Sequence, residues 1–263
     1  MSRRLHSLVL NLHHTPARWS PFVTATGVQA LRRILESLRS EGYRFVAATE
    51  CGPTGSEPGS VALTADDGYE SHARHLAPLL RELAIPWTVF VLTGAIGRSN
   101  RWDLPLMGAR ERHLTEEEIA RLSKDGVSIG AHGATHRDFR SLGDQELAEE
   151  LVRSRDSLAR LTGRRVTAIS YPRGGVDRRV ALAAHRAGFR IGFGTAGAPE
   201  LPGDLRALSL RRTALYAPDQ IPGMFRWTAL RGPRALRWIR PALASLGDAL
   251  IVGALRAQGG RDA

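Results

Sequence analysis

The sequence predicts an α/β fold: a parallel sheet closed into a barrel and jacketed by helices. Three observations point there. Short apolar runs alternate with segments of helical period from about Leu8 to Leu215. The residues able to do chemistry stand where apolar runs end, at the C-terminal mouth where βα loops build sites. A length of 263 residues suits one large α/β domain with a sizeable core.

Each element has its own reason. Ser7 to Leu12 reads as a buried first strand, followed by a polar loop with Pro16 and Pro21. Val28, Leu31, Ile34, Leu35 and Leu38 fall at helical spacing, and Gly42 ends that helix. Tyr43 to Ala48 is a second strand, and the Gly-, Pro- and Ser-rich stretch from Gly52 to Gly59 is a loop. Val61 to Thr64 is a strand that delivers Asp66 and Asp67. Ser71 to Leu83 is helical, and Trp87 to Leu92 is a strand. Gly94 to His113 is an irregular insert containing Trp102. Thr115 to Glu118 is a capping box that opens a helix to Lys124. Val127 to Gly130 is a strand that delivers His132, and Asp144 to Leu161 is a long helix. Val166 to Ser170 is a strand leading into Tyr171-Pro172-Arg173-Gly174. Arg178 to Ala187 is a helix and Phe189 to Phe193 a strand. Leu205 to Leu215, with Arg211 and Arg212, is the expected last strand.

Bulk composition narrows the class. The apolar fraction of 43% and charged fraction of 24% are ordinary for a soluble globular protein. The net charge of +11 is not. Lys124 is the only lysine, so the basicity is almost all arginine. A basic surface suits nucleic acid, an anionic membrane or an acidic substrate, but it also follows from arginine-rich genome composition alone. No nucleic-acid motif accompanies it, so nucleic acid is not an expected partner. Cys51 is the only cysteine, so no intrachain disulfide forms. The run Leu8-Val9-Leu10 is too short for a signal-peptide core and no stretch has transmembrane length. These features predict a cytoplasmic protein, with room for peripheral contact at the inner membrane face.

Two motifs carry the chemistry. Thr64-Ala65-Asp66-Asp67-Gly68 places adjacent carboxylates at a strand end. They repel each other unless a cation or proton intervenes. His132-Gly133-Ala134-Thr135-His136 places two imidazoles where they can turn to one point. Alone, the first is an Asp-Gly turn with two solvated carboxylates, and the second is a polar histidine pair. Together they supply one carboxylate and two imidazoles for a divalent metal, with Asp66 left as a base. That is a hydrolytic metal-site composition.

In these motifs the chain resembles the polysaccharide deacetylase superfamily, the NodB-homology domain of carbohydrate esterase family 4. Thr64 to Gly68 matches the family's first motif, His132 to His136 its second, and Tyr171-Pro172-Arg173-Gly174 one form of its third. The likeness runs from about Leu8 to about Arg212. It implies a deformed (β/α) barrel. It implies Asp67, His132 and His136 as ligands of one divalent ion, usually zinc, and Asp66 as the general base. It implies an oxyanion held by the metal and a backbone N–H near Tyr171 or Arg173. The implied reaction is hydrolysis of the N-acetyl group of an amino sugar in a polysaccharide, an oligosaccharide or a lipid- or nucleotide-linked intermediate. The leaving amine needs an acid. No histidine follows His185, but Leu10-Asn11-Leu12-His13-His14 resembles a branch whose acid lies on the first strand, which implies His13, with His14 the alternative.

Several positions depart from the family pattern. Ala65 replaces a usual Phe, Gly133 a usual Ser or Thr, and Ser170 the Arg that tethers the base, leaving Arg173, Arg211 or Arg212 as substitutes. Trp102 suits a sugar ring or a loop anchor equally. Asp138 is a candidate partner for a ligand or the start of a turn. His6, His72, His75, His113 and His185 read as surface or helix-face residues. A different amide or a cyclic imide on the same scaffold is the rival substrate class, and a non-catalytic glycan- or membrane-binding barrel is the other alternative.

Residues 1–217 form the expected catalytic barrel and 218–263 a basic helical extension. From Ile221 onward, seven arginines face two aspartates, with Phe225, Trp227, Trp238 and other apolar residues between them. Such a segment suits an interfacial helix on anionic lipid. It also suits a helix packed across the barrel, the reading that the apolar stretch Leu243 to Leu255 favours slightly.

Overall fold

A computed structural model describes residues 5–17, 24–51, 57–99 and 111–216. Trp102 and the whole extension 218–263, with its expected membrane contact, lie outside the described residues.

The chain lays down strands and helices alternately. The order is β1 (Leu8–Leu12), α1 (Val28–Ser40), β2 (Arg44–Val46), β3 (Ser60–Ala65), α2 (Ala77–Glu82), β4 (Trp87–Val91), α3 (Glu116–Lys124), β5 (Ser128–Ala131), α4 (Asp144–Thr162), β6 (Ala168–Ser170), α5 (Arg178–Arg186), β7 (Ile191–Phe193) and β8 (Thr213–Ala214). All pairings between strands are parallel, in the order β7-β6-β5-β4-β3-β1-β8, with β2 beside the start of β3. The sheet curls. Leu210 exchanges backbone hydrogen bonds with Gly192 and Gly194 beside β7, while Thr213 and Ala214 pair with Leu10 and Asn11 of β1. This is the deformed (β/α) barrel expected from the sequence.

Side-chain alternation along the strands divides the apolar residues in two. Leu10, Leu12, Leu63, Val89, Val91 and Ile169 face outward and pack with α1, α3, α4 and α5 in one large core. Val9, Ala62, Phe90, Ala168, Ile191 and Phe193 face inward and fill the barrel. Inward positions shrink to Ala62 and Ala168 where Phe90 and Phe193 need space, as close packing requires. The helices follow their sequence signals. α1 buries Leu31, Ile34, Leu35 and Leu38. α3 starts at the Thr115–Glu118 capping box, with both reciprocal hydrogen bonds formed.

Two elements differ from expectation. The helix after the first motif is not one α-helix: His72–Leu76 forms a wide π-turn before α2. The expected strand Leu205–Leu215 is mostly not a strand. Gly203–Leu208 forms a tight helical turn, and regular pairing is confined to Thr213–Ala214. Among the described residues no helix is long and apolar enough to cross a membrane.

Candidate active site

The sheet's pairing register assembles the site. Asn11 pairs with Thr64, and Val91 with Ala131, so the residues just past each strand gather at one mouth. Continuing the inward alternation places Asp66 above Thr64, His132 above Gly130 and His13 above Asn11.

Asp67, His132 and His136 converge there. Their candidate ligand atoms all lie within 4.8 Å of one another. Asp67 Oδ1 stands 3.3 Å from His132 Nε2 and 3.4 Å from His136 Nε2. His132 Nδ1–H donates to the Ser170 carbonyl at 2.7 Å, which turns its Nε2 lone pair toward Asp67. Asp67 Oδ1 is buried and takes no hydrogen bond. Such an atom needs a positive partner. Donors about 2 Å from a tetrahedral zinc ion stand about 3.3 Å apart, so the spacing and the orphaned oxygen both fit a divalent ion.

The electrostatics agree. Burial pushes the Asp67 carboxyl up, but the His132 and His136 rings outweigh it and hold the carboxyl well below its usual range. Burial disfavours a charged His132, yet Asp66 and Asp67 overcome that and raise its pKa. The pocket favours a cation, and a proton on His132 is the nearest substitute.

Asp66 is held differently. Arg212 grips it bidentately, Nη1 to Oδ1 at 2.8 Å and Nη2 to Oδ2 at 2.7 Å. Asn11 Nδ2 donates to Oδ2 at 3.0 Å. Arg212 also donates to Asn11 Oδ1, Thr64 Oγ1, Ser170 Oγ and the Gly194 carbonyl, and it lies between the Phe90 and Phe193 rings at 5.7 and 5.8 Å. Burial pushes the Asp66 carboxyl up, but Arg212 dominates and brings its pKa to about 2. Of the three candidate tethers, only Arg212 reaches Asp66. Arg211 points the other way, to the Ala198 carbonyl and Glu200, and the Arg173 side chain is exposed. Ser170, standing where the family's Arg is expected, accepts from Arg212 and so belongs to the same network.

The first-strand histidines also separate. His13 bears electrostatically on both Asp66 and Asp67, and its Nδ1 is buried without a partner. His14 faces outward, contacting Glu111 Oε2 at 2.6 Å and stacking on Tyr69 at 4.0 Å. That geometry favours His13 over His14 as the group facing the site.

The third motif uses Tyr171 inside the protein. Its backbone N–H donates to the Phe193 carbonyl at 3.0 Å and its hydroxyl to the Leu208 carbonyl at 2.8 Å. Burial raises its pKa. Both Tyr171 donors are therefore spent, which leaves Arg173, at the bend of the Pro172–Gly174 turn, as the other residue of this motif expected near an oxyanion. Arg173 has φ 56°, Asp67 φ 69° and His136 φ 61°. Among the described residues, four non-glycine residues adopt positive φ, and three of them are these motif residues. Strained backbone gathers at functional sites.

The layer of residues beneath the site is not legible in the sequence. Asn11 carried no signal. His72 and His113, expected at the surface or on a helix face, are 0% and 1% exposed. His113 Nδ1–H donates to the Asp67 carbonyl at 2.9 Å, and His72 Nε2–H donates to the His13 carbonyl at 2.5 Å. Asp138 caps Arg140 and packs on Gly175, so it begins a turn rather than contacting a ligand.

Comparison with known proteins agrees. The chain is 27% identical over 135 residues to the Bacillus subtilis (strain 168) protein named "Putative polysaccharide deacetylase YxkH", a match covering 51% of this chain and 44% of that protein, so the chain spans less than half of its relative. In fold it is similar to IcaB from Ammonifex degensii, with a TM-score of 0.62, 24% identity and coverage of 72% of this chain and 83% of that one. It is also similar to the Streptococcus pyogenes deacetylase PplD, solved in complex with acetate, with a TM-score of 0.61, 21% identity and coverage of 81% and 92%. The polysaccharide deacetylase family model matches residues 54–192, more than half of the chain and the stretch holding all three motifs, so the chain belongs to the polysaccharide deacetylase family.

Proposed function

We propose that the protein is a metal-dependent deacetylase that hydrolyses the N-acetyl group of an amino sugar and releases acetate. The observation that carries this is the Asp67–His132–His136 donor set lying beside an Asp66 that takes no part in it. These three residues would hold one divalent ion, with zinc best suited to one oxygen and two imidazole nitrogens. Such an ion, when bound, acidifies water toward a pKa of roughly 7 and polarises the amide carbonyl.

The remaining roles belong to the chain itself. Asp66, kept ionised by Arg212, accepts the proton of the attacking water. Its two oxygens are fixed by Arg212 and Asn11, so its orientation is set before substrate arrives. Arg173 N–H faces the developing oxyanion. His13, at the end of β1, delivers a proton to the departing amine. The substrate is an N-acetylated glycan or glycoconjugate intermediate.

The test is acetate release from N-acetylglucosamine presented free, as oligomers, nucleotide-linked and lipid-linked, with non-sugar amides and cyclic imides alongside. Release from a sugar substrate that disappears in Asp66→Asn supports the proposal. Hydrolysis of the non-sugar amides alone rejects it in favour of the rival substrate class.

A further inference from the structure

The loop between the two motif histidines is gripped from helix α4, and we propose that Glu150 is a positioning residue that sets His136 for metal binding. This rests on reading Asp67, His132 and His136 as ligands. Glu150 lies on the second turn of α4 and is only 8% exposed. Its Oε2 accepts from Ala134 N–H at 2.6 Å and Thr135 N–H at 3.1 Å, and its Oε1 accepts from the Thr135 hydroxyl at 2.7 Å. All three bonds go to this loop, and no ion pair to Glu150 occurs among the described residues. A buried carboxylate without a cation is unfavourable unless donors replace its water. Here the donors come from one short stretch, so the carboxylate and the loop's shape depend on each other.

The loop needs that grip. His132 comes directly after β5 and its ring is aimed by the Ser170 carbonyl. His136 is reached only through Gly133 at φ 76° and itself sits at φ 61°, a conformation a β-carbon disfavours. The loop's carbonyls are held from the opposite side: Thr93 N–H donates to Gly133 O at 3.1 Å and Gly94 N–H to Ala134 O at 3.0 Å. The residues after β4 thus hold the carbonyls while Glu150 holds the amides. The space is tight, since a Cβ at Gly133 would lie 2.9 Å from the Phe139 ring and 3.1 Å from Glu150 Oε2. Releasing the amides frees the loop to rotate away, and His136 with it.

Zinc affinity of the full chain, read by competition with a chromophoric chelator, tests this. Melting of each metal-free variant is recorded in parallel. Glu150→Ala should weaken zinc binding roughly 10- to 100-fold, the usual effect of losing a residue that orients a ligand. Glu150→Gln keeps an acceptor for the amides and should lose less. Thr135→Val removes one of the three bonds and should fall between wild type and Glu150→Ala. A folded Glu150→Ala that binds zinc as tightly as wild type, while His136→Ala does not, overturns the proposal, as does a lower melting temperature with unchanged affinity. If Glu150→Ala does not fold, unchanged affinity in both Glu150→Gln and Thr135→Val overturns it equally. Wild-type affinity in His136→Ala removes the ligand assignment itself, and this inference with it.

Discussion

Arg212 and Asp66 show most clearly how single residues set this site. Arg212 is almost fully buried, carries its charge between two aromatic rings and spends it on one carboxylate. Replacing it with Leu leaves Asp66 buried and uncompensated, which should cost about 3–5 kcal/mol in chemical denaturation. It should also raise the Asp66 pKa from about 2. A base must be ionised, so the acid limb of the kcat/KM profile should move to higher pH; an unmoved limb would mean that Asp66 is not the base. Asp66→Asn should keep zinc affinity while acetate release falls about 10²–10⁴-fold, the range for removing a positioned base. The two carboxylates and the two histidines were legible in the sequence because each pair lies within a few residues on one strand end. The tether was legible only as a choice of three, because side-chain direction cannot be phased in the irregular stretch before β8. Asn11 was invisible because its role depends on pairing with Thr64 across the sheet.

At the scale of elements, the turns and loops beyond the strands shape the site more than the strands do. The strands and long helices were readable from period alone, whereas the π-turn at His72–Leu76 and the helical turn at Gly203–Leu208 were not, since tertiary contacts override a local helical or strand pattern. Histidine burial is hidden from the sequence for the same reason: His72 lies on a helical stretch whose surroundings come from His13, just after β1, and from Trp87. Burial brings the His72 pKa down to about 4 from 6.5. The unfolded chain therefore takes up a proton between those values while the folded one does not, so stability falls as pH drops through that window, by up to about 3 kcal/mol. His72→Asn should flatten the dependence of melting temperature on pH between 6.5 and about 4; an unchanged slope would show that His72 titrates normally in the fold. Beside β4, a Cβ at Gly94 would come within 2.2 Å of the Ala134 carbonyl. Gly94→Ala should cost about 1–3 kcal/mol on unfolding, as overpacking does, and should weaken zinc binding because it displaces the second-motif loop.

Across the whole molecule, the barrel brings together residues that are far apart in sequence. Asn11, Asp66, Ser170 and Arg212 form one network from β1, the end of β3, β6 and the segment before β8, so the Asp66–Arg212 pair exists only where the sheet has closed. The parallel order and the mouth were expected from the alternation of apolar runs with helical segments. On the proposed reading, one divalent ion on Asp67, His132 and His136 enables acetate release. The most direct measurement is acetate release by metal-stripped protein titrated with zinc, beside His132→Ala. Activity should rise to a plateau at one equivalent of zinc and stay absent in the variant. Release that survives metal stripping, or that His132→Ala retains, would contradict a metal-dependent reaction at these three residues.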